Sequence, residues 1–164
     1  MRNIIFLDID GVVNTVQIDT KPYKDKRRKQ GEFYFDICSP KDKRVSNRQA
    51  IMWLNKLCIE TKAEIVISST WRINSDLEEL KKVLTNSGLL SEIKVVGKTP
   101  WLIGQTRGEE INVYLQENKN ISAFVILDDD ADMGDLKEHL VQTNTHIGFT
   151  YNEYLKAKKI FEKK

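Results

Sequence analysis

Acids and hydroxyls gather at a few points along this chain where chemistry is possible. Leu7-Asp8-Ile9-Asp10-Gly11-Val12 sets two carboxylates two residues apart beside a glycine. Leu127-Asp128-Asp129-Asp130-Ala131-Asp132 crowds four acids into five positions. Between them, Ile67-Ser68-Ser69-Thr70-Trp71-Arg72 supplies three hydroxyls and a cation. Crowded carboxylates repel one another unless a cation sits among them. An all-oxygen ligand set suits Mg²⁺, which takes one or two carboxylates together with waters and phosphate oxygens. Hydroxyls and a basic side chain beside such a metal suit the other phosphate oxygens. Singly, each cluster is ambiguous: Asp-x-Asp-Gly is often just a turn, and Asp128–Asp132 reads equally well as a solvated loop or a helix cap. Each cluster, however, comes directly after an apolar run, which points to one site.

Those runs alternate with helical patterns, as in βαβ units on a parallel sheet. Strands are expected at Asn3–Leu7, Glu64–Ile67, Glu92–Val96 and Ile121–Leu127, with a small one at Leu140–Val141. A helix from Ser46, which can cap it, to about Glu60 carries Ile51, Leu54, Leu57 and Cys58 on one face. Another opens at Asn74 or Ser75, sets Asp76, Glu78 and Glu79 where the helix dipole favours acids, lines its core face with Leu77, Leu80 and Leu84, and closes at Gly88. Further helices are expected from Gly108 to about Glu117, at Gly134–His139 and from Asn152 to about Glu162. Ligands of open α/β sheets bind outside the carboxyl ends of the strands. If the strands are parallel neighbours, the three clusters therefore face one crevice.

Composition narrows the class. With 164 residues, 40% hydrophobic and 30% charged, the chain has the make-up of a soluble globular protein and the length of a single domain. Its net charge of only +2 is no argument for a nucleic-acid or membrane partner. Cys38 and Cys58 are the sole cysteines and form no CxxC pair, and His139 and His146 lack cysteine partners, so no disulfide framework or zinc site is expected. No apolar run is long enough to span a membrane or to act as a signal peptide, which makes a reducing cytoplasm the expected location. Gly97-Lys98-Thr99 looks like the end of a P-loop, but Glu92 stands where the first P-loop glycine belongs.

On these motifs the chain resembles the haloacid dehalogenase (HAD) superfamily of phosphohydrolases. Asp8–Val12 is similar to its Asp-x-Asp-Gly-x motif, and Ser68, with Ser69 as the alternative, to its Ser or Thr after a hydrophobic strand. Arg107 of Thr106-Arg107-Gly108-Glu109-Glu110-Ile111, with Lys98 as the alternative, is similar to its basic motif, and Asp128-Asp129 to its paired acids. Ser-Ser-Thr-Trp-Arg, Gly-Lys-Thr-Pro, Arg-Gly-Glu-Glu-Ile and Ile-Leu-Asp-Asp-Asp further resemble the compact HAD domain of "Swiss Army knife" RNA-repair proteins. The resemblance implies an α/β, HAD-like Rossmannoid three-layer fold over residues 1–164, with a central, mainly parallel sheet. It implies a phosphoric monoester hydrolase acting through an aspartyl-phosphate. Asp8 would be the nucleophile and Asp10 the general acid and then base, while Ser68 or Ser69 and Arg107 or Lys98 would grip phosphate. Mg²⁺ would be held by Asp8, by the backbone carbonyl of Asp10 and by Asp129, with Asp128 acting through water or orienting its neighbour. Asp132 reads equally as a supporting acceptor or a helix cap.

The stretch Val12–Val45 is longer than a normal βα loop. It holds six basic residues within Lys21–Lys29 and then Glu32–Ile37, which has strand composition. It reads as a small flap or cap inserted after the first strand. Its basic tip, with Tyr23, Phe33 or Tyr34 to stack, has the make-up of a nucleic-acid contact and equally of a solvated loop. Trp71 and Trp101 are candidates for the crevice rim, where Trp71, directly after the hydroxyls, reads as a base-stacking or a packing residue, while Trp53 reads as partly core; Arg72 reads as a phosphate contact or an ion pair. A nucleotide or nucleic-acid terminal phosphate is thus the expected substrate, with a small metabolite phosphate, or phosphate binding without turnover, as alternatives. The oligomeric state is left open.

Overall fold

The structure is a computed structural model that describes residues 1–15 and 47–163. The flap expected at about 12–45, its basic tip Lys21–Lys29 and the helix cap expected at Ser46 lie almost wholly outside the described residues.

Among the described residues five strands form one sheet: β1 (Arg2–Leu7), β2 (Ala63–Ile67), β3 (Val95–Lys98), β4 (Ile121–Asp128) and β5 (Leu140–Gln142). Their order is β3-β2-β1-β4-β5, and every pairing is parallel. The helices are α1 (Arg48–Thr61), α2 (Leu77–Asn86), α3 (Arg107–Glu117) and α4 (Tyr151–Glu162), with 3₁₀ turns at Thr70–Ile73 and Gly134–His139.

Handedness decides which face each helix covers. The chain steps outward from β1 to β2 to β3, then crosses back over the sheet to β4 and on to β5. Right-handed crossovers put the outward and the returning connections on opposite faces. Accordingly α1 and α2, joined by α4, pack Leu54, Leu57, Leu80, Leu84, Ala157 and Phe161 against Ile5, Leu7, Ile65 and Ile67. On the other face α3 and the second 3₁₀ turn set Ile111, Tyr114 and Leu136 against Ile4, Phe6, Val66 and Ile126. The result is a three-layer α/β arrangement. Because the strand order reverses between β1 and β4, their carboxyl ends open on the crevice where such folds bind ligands.

Several boundaries differ from expectation. Asn47 caps α1 by accepting from Ala50 N. Helix α2 starts later than an opening at Asn74 or Ser75 would place it, because Asp76 and Glu79 form a reciprocal capping box that satisfies two end donors. Thr106 and Glu109 do the same for α3, which therefore begins at Arg107 rather than Gly108, and Thr150 and Glu153 for α4, which begins at Tyr151. Strand β3 spans Val95–Lys98 rather than Glu92–Val96, because residues 91–93 turn before it begins, and its register shifts opposite Ile65/Val66. Its Gly97-Lys98 end has loop composition but pairs because β2 runs on to Ile67. No helix among the described residues is long and apolar enough to cross a membrane.

Candidate active site

Register alone brings the key groups together. Leu7 pairs with both Ile67 and Leu127, so the next residues on the three central strands, Asp8, Ser68 and Asp128, stand side by side. Backbone bonds from Asp8 N to Leu127 O and from Ser68 N to Leu7 O, each 2.9 Å, hold that row beyond the last paired residues. Thr99 joins it through its N–H to Ile67 O. Side chains alternate across a strand, so the row faces the same side as Phe6, Val66 and Ile126, the side covered by α3. Arg107, the first residue of α3, reaches down onto it. Its Nη1 lies 3.5 Å from Asp8 Oδ1 and its Nε 3.8 Å from Asp128 Oδ2.

The row is buried and short of hydrogen bonds. Asp8 is 5% exposed, Asp128 1% and Ser68 fully enclosed. Ser68 Oγ, Thr99 Oγ1, Arg107 Nη1 and Asp128 Oδ2 have no hydrogen-bond partner among the described residues. Buried polar atoms are rarely left so, and four in one place at the strand ends fit a polar, phosphate-sized ligand. Burial pushes both acids above the usual carboxylate range: at Asp8 the Arg107 charge and a hydrogen bond from Ser69 work against it, while at Asp128 the neighbouring Asp8 adds to it. Burial also disfavours the Arg107 charge, but Asp8, Asp128, Glu110 and Asp132 together more than offset that.

Carboxylate oxygens of Asp8, Asp128 and Asp129 lie within 4.8 Å of one another. Three acids this close, two of them buried, with Asp128 Oδ2 accepting no hydrogen bond among the described residues, fit a hard divalent cation with oxygen ligands. Gly11 makes room for this cluster. Its φ is +74°, and a Cβ there would stand 2.3 Å from Asp129 Oδ2. Thr145 donates to Asp129 Oδ2 at 2.7 Å, and Thr143 Oγ1 donates to Gly11 O at 2.7 Å.

Asp10 stands apart from this group. Its Oδ1 accepts from Asn14 Nδ2 at 2.7 Å and its Oδ2 from the Trp71 indole at 2.8 Å. Trp71 is 4% exposed, so it offers no face for stacking, whereas Trp101 is 55% exposed. Trp53 is partly buried against Tyr151 and Tyr154. Ser69 caps the 3₁₀ turn that carries Trp71. Lys98 donates to the carbonyls of Arg72 and Ser75, on the other side of β3 from the row. Asp132 Oδ2 accepts from Arg107 N at 3.3 Å, which makes it part of the α3 amino terminus.

Arg72 is an ion pair. It is 3% exposed and bonded to Glu110, itself 5% exposed. Its other donors reach the carbonyls of Ser68, Ser69, Thr99 and Pro100, and Glu110 Oε1 accepts from Leu102 N. One planar guanidinium thus ties the ends of β2 and β3 to α3. Motif reasoning misses Glu110. Its spacing to Arg107, Ile111 and Tyr114 marks the buried stripe of α3, and an acid in that stripe needs a buried cation. Thr143 and Thr145 carry no comparable signal.

No curated protein matches the chain, and no solved structure does. A family model does: that for the HAD domain in Swiss Army Knife RNA repair proteins matches residues 4–154. The row of Asp8, Ser68 and Asp128 under Arg107 lies within that match, and the chain belongs to this HAD domain family.

Proposed function

We propose that this protein is a cytoplasmic, Mg²⁺-dependent phosphatase that removes terminal phosphates from nucleotides or nucleic acids through an aspartyl-phosphate. Family membership supports a HAD-type phosphohydrolase in general. The observation that carries the finer reading is a buried carboxylate, Asp8, aligned with an unpartnered hydroxyl and 3.5 Å from an arginine.

In this reading an Asp8 oxygen bonds to phosphorus, the bond to the leaving oxygen breaks, and Asp10 gives that oxygen its proton. Asp10 then takes a proton from the water that attacks phosphorus, releasing inorganic phosphate and Asp8. Ser68 and Arg107 hold the non-bridging oxygens, where charge shifts in the transition state; Ser69 supports Asp8, and Lys98 braces the turn after β2. Asp8, Asp128 and Asp129, with the Asp10 carbonyl, would hold the metal, which would screen the carboxylate from the phosphate dianion. Excess chelator should abolish hydrolysis of p-nitrophenyl phosphate, and undiminished activity would overturn the metal.

The acids make a second, activity-free measurement possible. Raised carboxylate pKa values mean that the folded state keeps protons the unfolded chain has released. The metal-free protein should therefore lose stability as pH rises above about 4, the ordinary carboxylate value. Mg²⁺ at about 100 times its Kd should restore about 2.7 kcal/mol, and Asp129→Ala should weaken that response more than it perturbs the fold. Thermal midpoints measured against pH, with and without Mg²⁺, test this; midpoints indifferent to both would count against the site.

The substrate class rests on the sequence of Lys21–Lys29. Replacing Lys24, Lys26, Arg27, Arg28 and Lys29 with Ala should raise KM for a phosphorylated oligonucleotide. It should also flatten the salt dependence of KM by roughly 0.7–0.9 in log–log slope per lost phosphate contact. An unaltered slope and KM would leave a phosphatase of small esters.

A further inference from the structure

We propose that Trp71 is a positioning residue for Asp10, one that sets which way its carboxylate faces the departing oxygen; this rests on the acid role proposed for Asp10. A buried indole needs an acceptor for its N–H. The carbonyls at the ends of β2 and β3 go to the next residue, Arg72. The Trp71 N–H instead goes to Asp10 Oδ2, 61 residues away in sequence, at 2.8 Å. The local fold is built to aim it: Ser69 accepts from Trp71 N, starting the 3₁₀ turn that brings the ring back over the β1 loop.

The backbone of that loop does not depend on Trp71. Ile9 O accepts from the N–H groups of Val12, Val13 and Asn14, and Gly11 N donates to Asn14 O. Thr143 holds Gly11 O, Phe149 N holds Val12 O, and Asn47 N holds Val13 O. The indole adds the torsion of one carboxylate. Each carboxylate oxygen has two lone pairs, so with Trp71 on Oδ2 and Asn14 on Oδ1, the described residues leave each oxygen one site for the proton that moves. The proton leaves Asp10 as the ester bond to phosphorus breaks and ends on the leaving oxygen.

An alkoxide leaving group needs that proton far more than p-nitrophenolate does. A role in aiming the acid therefore shows in the ratio of the two rates, whereas a packing role lowers both together. In the full chain, Trp71→Phe keeps an aromatic ring in place and removes the N–H. Its kcat/KM for an alkyl phosphate, divided by its kcat/KM for p-nitrophenyl phosphate, should fall about 10-fold from wild type, part of the roughly 10²–10⁴ that general acid catalysis supplies; this ratio excludes the later hydrolysis of the aspartyl-phosphate, which both esters share. Benzothienylalanine at position 71, which keeps the bicyclic ring and replaces N–H by sulfur, should reproduce the fall if Phe unsettles the fold. Asp10→Asn is the reference for the ratio. A fall with Asp10→Asn but none with either Trp71 variant overturns this inference and leaves the acid assignment standing. No fall with Asp10→Asn overturns both.

Discussion

Asp8→Asn is expected to stop phosphate-ester hydrolysis, by at least about 10⁴-fold, the order lost when a nucleophile is taken from residues that act as a unit. The substitution is nearly isosteric, and burial already disfavours charge at this carboxyl. The thermal midpoint of the metal-free protein should therefore be no lower than that of wild type. Single-turnover measurements with p-nitrophenyl phosphate give the rate, and a folded variant that turned over at the wild-type rate would exclude the covalent route. The same experiment separates this site from a phosphate-binding module, because wild type must first show turnover.

Much of this site is legible from sequence because its parts are local. Asp8 and Asp10, the two serines and Asp128-Asp129 each come after an apolar run, and in a parallel sheet such positions converge whatever the loops do. Register does the rest: Leu7, Ile67 and Leu127 align, so Asp8, Ser68 and Asp128 align after them. Helix boundaries are less legible, since reciprocal capping boxes compete with single capping residues, as Asp76 does with Ser75. Least legible are pairings between distant residues. Nothing local in Trp71 points to Asp10, nor in Arg72 to Glu110, 38 residues apart. Sequence offers Trp71 either a place at the crevice rim or a packing role, and the fold buries its ring while its N–H meets Asp10 Oδ2.

The pair Arg72–Glu110 carries the second large effect. Glu110→Gln keeps the shape of the side chain but leaves a buried guanidinium without its counter-charge. Breaking one partner of such a pair costs about 3–5 kcal/mol, and the thermal midpoint should drop by roughly 6–20 °C at this chain length. Arg72→Lys should not compensate, because an ammonium cannot reach the carbonyls of Ser68, Ser69, Thr99 and Pro100 as a planar fork does. Denaturant titration gives the stability loss. Binding of inorganic phosphate, measured well below the new midpoint, should weaken as well, since the hydroxyl loop and α3 are no longer tied together. A loss under about 1 kcal/mol, with phosphate binding intact, would show that the neighbouring carbonyls hold Arg72 without Glu110.

The central place of β1 has a consequence for how the chain is made. Its two neighbours come late: Asn3 pairs with Ala63, and Arg2 with Ile121, 119 residues further on. At a ribosome adding about 5–20 residues per second, β1 waits roughly 6–24 s for its second neighbour. Through that interval the edge bearing Ile4, Ile5 and Phe6 has nothing to pair with on the β4 side, and Asp8 is not yet crowded by Asp128 and Asp129. Sheet closure and the gathering of like charges therefore happen in one late event. Gathering of the three clustered acids and closure of the sheet around β1 are the same step, so the cation-holding part of the crevice arrives only with β4.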